Sequence, residues 1–245
     1  MARVTVFGLP LDPLTFDDSL AACTRLVESG QFAQHVVINV SKVLLCVDDP
    51  SLRKGIWRAD LVNADGMGIV WAGRALGILV PERVTGIDLM QALMRVAESR
   101  GWPVYLLGAK PEVLKDLIAF IANEYPRLEI AGYRDGYFNE DAKVAADVRA
   151  SGAKILFLGL PSPRKEQFVE AQRAGFGPLL TFGVGGSFDV LAGRTQRAPR
   201  WLQEVGGEWF FRLTQEPGRM WRRYLIGNAR FARLVAQEYF RKRPK

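Results

Sequence analysis

From His35 to Val184 short apolar runs alternate with helix-like stretches, and this rhythm limits the possible folds more than any other feature of the chain. His35-Val36-Val37-Ile38-Asn39, Asp60 to Ala64, Pro103 to Leu107, Leu128 to Tyr133, Ile155 to Leu158 and Leu179 to Val184 read as buried strands. Helix patterns precede and separate them. One starts at a cap formed by Thr15 and Asp18 and stops at Gly30. Ile87 to Ser99 shows helical spacing, Pro111 to Tyr125 carries proline in its first turn, and Asp141 to Ala150 follows. Repeated strand–helix units require a parallel sheet covered on both faces. The expected fold class is therefore α/β and Rossmann-like.

In such sheets the ligand crevice lies beyond the carboxyl ends of the strands. The residues that follow the strands are Asn39, Asp65-Gly66, Gly108-Ala109-Lys110, Arg134-Asp135-Gly136, Gly159 to Glu166, and Gly183 to Asp189. Ordinary turn chemistry accounts for the glycines. It accounts less well for an amide, a carboxylate and several cations at one edge.

After Ala198-Pro199 the alternation ends. Trp201 to Val205, Glu208 to Gln215 and Pro217 to about Tyr239 read as helices, with Pro217 separating the last two. We expect an α/β catalytic domain over residues 1–196 and a helical appendage over residues 197–245. The charge divides near the same place. Residues 194–245 hold thirteen Lys and Arg against four Glu, while the whole chain is +7, so the body is slightly acidic. A basic, aromatic tail on such a body points to an anionic partner. Arg219, Arg222, Arg223, Arg230 and Arg233 fall near one face of the last helix, with Trp221, Leu225, Phe231 and Val235 as apolar neighbours. That helix could close over the crevice, lie on an anionic membrane, or do both.

Several classes find little support. The sequence shows no secretory signal pattern and no apolar run of the roughly 18 residues that a membrane span needs. Cys23 and Cys46 sit in apolar helix-like segments and read as core thiols. His35, the single histidine, starts a strand and reads as structural. With no Cys/His cluster and no Asp-x-Asp triplet, no metal and no other cofactor is expected. Gly183-Val184-Gly185-Gly186-Ser187-Phe188-Asp189 could hold phosphate on backbone N–H groups. As a dinucleotide fingerprint it fails, because Phe188 stands where the third glycine belongs. Arg164, Lys165 and Glu166 fall in a helical first turn, where a cation opposes the helix dipole, so Lys165 calls for an anionic partner. Asp65, at a strand end, has the rigid crevice position that a general base needs.

A set of stretches then becomes specific as a group. They are Asn63-Ala64-Asp65-Gly66-Met67-Gly68, Arg83-Val84-Thr85-Gly86-Ile87-Asp88, Leu106-Leu107-Gly108 and Gly132 to Phe138. Ile155 to Glu166, Gly183 to Gly193, Glu208-Trp209 through Arg212-Leu213, Glu216-Pro217, Arg219 and Trp221-Arg222-Arg223-Tyr224 complete it. In this order they resemble the WecG/TagA/CpsF family of bacterial glycosyltransferases over nearly the whole chain. The resemblance implies transfer, with inversion, from a UDP-sugar to a sugar linked through diphosphate to a polyprenyl lipid, in cell-surface polysaccharide synthesis. It implies Asp65 as the base and a peripheral place on the inner face of the cytoplasmic membrane. It places Arg212, Arg219 and Arg222 at the donor diphosphate and gives the appendage an anionic membrane surface to meet. Asn39, Asp88, Gly108, Lys165, Glu166, Gly185, Gly186 and Asp189 complete the expected binding set. A homo-oligomer is left open.

Two departures fall at the rim. Val37-Ile38-Asn39 stands where the family often has Thr-x-Asn, and Lys165 replaces an amide, so the sugar identities stay open. Two rival classes use the same tail: a nucleic-acid-binding protein, disfavoured by the acidic body, and a non-catalytic membrane-docking subunit.

Overall fold

The structure, a computed structural model, describes residues 2–215 and 217–242. The side chains of Glu204, Arg219, Met220, Arg223 and Lys242 lie outside the described set, as does the Arg243-Pro244-Lys245 end of the basic cluster. β1 (Val4–Val6) and β2 (Leu9–Leu11) pair antiparallel. Their turn, Phe7-Gly8, has φ values of +53° and +72°, the twist that a two-residue hairpin turn needs. α1 (Phe16–Glu28) begins at Thr15, whose hydroxyl accepts the Asp18 N–H at 3.2 Å. The chain continues through β3 (Ala33–Ile38), α2 (Val40–Asp48), α3 (Pro50–Trp57), β4 (Leu61–Ala64), α4 (Met67–Ala75) and α5 (Gly86–Arg100). β5 (Val104–Gly108), α6 (Pro111–Glu124), β6 (Ile130–Arg134), α7 (Asp141–Ala150), β7 (Ile155–Gly159), α8 (Arg164–Gln172), β8 (Leu180–Gly183) and α9 (Ser187–Leu191) follow. Three helices end it: α10 (Arg200–Glu204), α11 (Glu208–Gln215) and α12 (Pro217–Lys242).

Strands β3 to β8 form one parallel sheet in the order β4-β3-β8-β7-β5-β6. The Rossmann-like α/β expectation holds. Strand periodicity builds the core on both faces. Val104, Leu106, Ile155 and Phe157 pack on one side with α5 and α6. Tyr105, Leu107, Leu156 and Leu158 pack on the other with α7 and α8. Val36, Ile38, Val62 and Ala64 join α2, α3, α4 and the hairpin in a third cluster. The chain leaves β5 outward to β6 but leaves its neighbour β7 back toward β8. That reversal is a switch point, and it opens a crevice at the carboxyl ends.

Apart from the helix-like segment around Cys46, the sequence reading did not single out α2, α3 and α4. They are short, and α4 contains Gly68 and Gly73, which weaken helix propensity. Packing explains both glycines. A Cβ at Gly68 would lie 2.8 Å from Val40, and one at Gly73 would lie 2.6 Å from Val80.

The last helix differs from the single apolar strip expected along its basic face. Phe231 is buried edge-on against Phe7, and Leu234, Val235 and Tyr239 pack beside it on the cluster that contains α2. Trp221 and Leu225, like Ile226 and Phe240, are exposed. Arg230 forks onto Asp48 of α2. One side of α12 therefore docks on the body and another carries apolar side chains outward. Cys23 and Cys46 are free and buried in separate core clusters. Among the described residues, no helix is long and apolar enough to cross a membrane.

Candidate active site

Asp65 follows β4 directly, and its N–H donates to the Ile38 carbonyl at 2.8 Å, extending the ladder by one residue. Gly66 turns the chain into α4 at φ +113°, a conformation that side-chain-bearing residues rarely adopt. Asp65 thus stands half-buried on a rigid strand–helix corner. Because Ile38 pairs with Ala64, the register places Asn39 next to Asp65. The Asn39 Oδ1 accepts the Lys42 N–H at 3.0 Å and caps α2.

A buried charge cluster lies at the same end of the sheet. Lys42 Nζ donates to Glu166 Oε1 at 2.6 Å, Lys165 Nζ stands 3.6 Å from the same oxygen, and the Ser162 hydroxyl donates to it at 3.0 Å. The Lys42, Lys165 and Glu166 side chains are 4%, 8% and 3% exposed. Burial opposes the charge on Glu166, yet Lys42 and Lys165 hold its carboxyl down to about 2. Burial, aided by Lys42, lowers Lys165 to about 8. The anionic partner that Lys165 called for is thus supplied by Glu166. Lys165 reaches this place by crossing Gly183, where a Cβ would lie 2.9 Å from its Cε.

A second cluster joins the segment before α5 to α11. The Val84 N–H donates to the Ala64 carbonyl at 2.9 Å, tying the segment that carries Arg83 to the end of β4. Arg83 Nη1 meets Glu208 Oε2 at 3.2 Å, and Arg212 Nη2 meets Glu208 Oε1 at 3.1 Å. Burial and then the charge of Glu208 raise Asp65 to about 6, while Arg83, Arg212 and Lys42 pull it down. A carboxylate poised near neutrality at a sheet edge suits proton abstraction.

The remaining candidates lie around this edge. Asp88 takes a two-pronged contact from Arg197, both distances 2.6 Å, and a hydrogen bond from Thr85. Burial works the other way, but these partners hold Asp88 below the usual carboxylate range. The pair fastens the segment entering α10 to the start of α5. Gly108, at φ +131°, lets the ends of β5 and β7 touch: a Cβ there would lie 2.5 Å from the Gly159 carbonyl carbon. Gly185 and Gly186 border open space after β8. Asp189 is half-buried in α9, and its carbonyl accepts the Arg194 and Thr195 N–H groups. Of the three arginines expected at the donor diphosphate, Arg212 is held by Glu208 and its charge acts on Asp65. Arg222 is exposed, its guanidinium 5.2 Å from the Trp221 ring centre. The Arg219 side chain lies outside the described residues. His35 is buried, stacked on Phe182 and bonded to Asn63 at 3.0 Å; burial lowers it to about 3, so it stays neutral.

The Glycosyl transferase WecG/TagA/CpsF family model matches residues 4–245. The chain belongs to this family. Membership makes it a glycosyltransferase of cell-surface polysaccharide synthesis, and it suggests a nucleotide-sugar donor and a lipid-linked acceptor. For a WecG/TagA/CpsF protein, the residues that sequence reasoning missed are informative. Lys42, Arg83, Arg197 and Glu208 all bear on Asp65 or its neighbours. Arg83 and Glu208 stand inside stretches already singled out, so their position gave a signal. Lys42 gave none, because only folding brings α2 against α8.

Proposed function

We propose that this chain moves a sugar, with inversion, from a UDP-sugar to a sugar carried on polyprenyl diphosphate. Asp65 acts as the base. It takes the proton from the acceptor hydroxyl as that oxygen attacks the anomeric carbon, and the C–O bond to UDP breaks on the opposite side. The observation that carries this reading is the position of Asp65 on a rigid strand–helix corner at the sheet edge, where the charges of Arg83 and Arg212, both held by Glu208, act on it. The departing diphosphate gains negative charge, and planar guanidinium groups pair well with phosphate oxygens. Arg212 fills this role in the proposal, together with Arg219 and Arg222 once donor is bound. Asn39, Asp88, Gly108, Lys165, Glu166, Gly185, Gly186 and Asp189 shape the donor and acceptor pockets around it.

The proposal makes residues 197–245 the appendage that completes the site at the inner face of the cytoplasmic membrane. Exposed Trp221, Leu225, Ile226 and Phe240 favour an interfacial position. Exposed Arg222 and Arg233 favour anionic headgroups, each basic residue contributing about 1 kcal/mol near such a surface. Removing residues after Gln196 should lower both co-sedimentation with anionic vesicles and transfer. Unchanged vesicle binding would end the membrane proposal.

The direct test is a panel of UDP-sugars with short-chain lipid-diphosphate-GlcNAc or lipid-diphosphate-Glc, reading UDP release with and without a metal chelator. The expected result is acceptor-dependent release that survives chelation. Release that ignores the acceptor, or no release from any donor, would overturn the reading.

A further inference from the structure

Glu208 opens α11 and places its carboxylate where two chain segments meet. Its Oε2 accepts from Arg83, carried by the body, at 3.2 Å. Its Oε1 accepts from Arg212, one helical turn along its own helix, at 3.1 Å. Neither contact is a two-pronged fork. The nearby Asp88–Arg197 pair is one, with both distances 2.6 Å. A guanidinium has five donors, so both arginines keep donors in reserve. The side chains of Arg83, Glu208 and Arg212 are 15%, 20% and 40% exposed, within reach of a solute.

We propose that Glu208 is an internal stand-in for the donor's diphosphate: it holds Arg83 and Arg212 in place while the site is empty and yields them when the nucleotide binds. This rests on the UDP-sugar reading above and adds a function for the appendage carboxylate. An unpaired pair of guanidinium groups would repel each other, and Arg212 sits on a helix with few body contacts of its own, since α11 contributes no buried residue. A carboxylate between them keeps their spacing. A diphosphate offers more oxygens and more charge than one carboxylate, and it satisfies both forks better. Glu208 is then a positioning residue that competes with the ligand it prepares the site for.

Competition has a sign that scaffolding lacks. In the full-length protein, Glu208→Gln keeps the shape and a hydrogen-bond acceptor but removes the competing charge. Titration calorimetry with UDP and, separately, with inorganic pyrophosphate should show binding about two- to fivefold tighter than wild type, the range expected for a partly exposed ion pair. Arg212→Gln should weaken both ligands, and thermal melts should show both variants folded. If Glu208→Gln fails to tighten the binding of a ligand that wild type does bind, the stand-in role is wrong and Glu208 is only a scaffold for the arginines. If pyrophosphate binding tightens as expected while UDP does not bind, the anion role stands and the UDP-sugar reading falls. If wild type binds neither ligand, both fall.

Discussion

Two glutamates in this molecule each sit between two cations that also act on Asp65, yet they do different work. Glu166 joins Lys42 and Lys165 inside the body, 3% exposed; Glu208 joins Arg83 and Arg212 at the appendage, 20% exposed. The difference is solvent. In the sealed cluster every charge has been stripped of water, so each partner is obligatory. In the open cluster water or a substrate anion can replace any partner at little cost. The sealed cluster is suited to holding the sheet edge in shape, and the open one to exchange.

Deleting each carboxylate should separate the two clusters most clearly. Glu166→Ala leaves two lysines buried without their counter-ion and should destabilise the fold by ~3–5 kcal/mol in urea unfolding at pH 7. Its folded carboxyl lies below the ordinary 4.5. The stabilisation is therefore present above that value and is lost as pH falls toward about 2, a loss the variant should not show. Phe231→Ala, which empties the contact with Phe7, should cost ~3 kcal/mol and raise hydrogen exchange in α12. Unchanged exchange would mean that the appendage is anchored elsewhere.

Asp65→Asn should instead stabilise. The folded carboxyl, raised to about 6, lies above its ordinary 3.8. Ionised Asp65 thus costs stability above about pH 6, and the cost vanishes below 3.8. Solvent at the half-buried carboxylate screens the full ~3 kcal/mol of such a shift, so the variant should gain ~1–2 kcal/mol at pH 8 and nothing at pH 3.5, read from melts at both values. Smallest of all, Glu208→Ala should cost no more than ~1 kcal/mol. A loss as large as that of Glu166→Ala would erase the distinction between the sealed and open clusters.

Much of the fold was legible because strand periodicity, caps and proline positions act locally. All six parallel strands and α1, α5, α6 and α7 follow from such signals. α4 did not, because its glycines are explained only by Val40 and Val80 from other elements. The rim was legible for a similar reason: Asn39, Asp65 and Gly108 are placed by strand ends. The charge partners were not. Lys42 meets Glu166 across 124 residues, Arg83 meets Glu208 across 125, and Arg197 meets Asp88 across 109. The last helix shows the same limit. Its basic and apolar residues are plain in sequence, but the split of Phe231 inward and Leu225 outward depends on where α2 stands.

In the proposed glycosyl transfer Asp65 is the base, and Arg212, with Arg219 and Arg222, holds the leaving group. The most direct test compares wild type and Asp65→Asn in single-turnover transfer from UDP-sugar to the lipid-diphosphate acceptor, alongside UDP affinity. Transfer by the variant should be about 10²–10⁴-fold slower, the usual contribution of a general base, with UDP still bound. Wild-type transfer by Asp65→Asn would contradict the role of Asp65 as base.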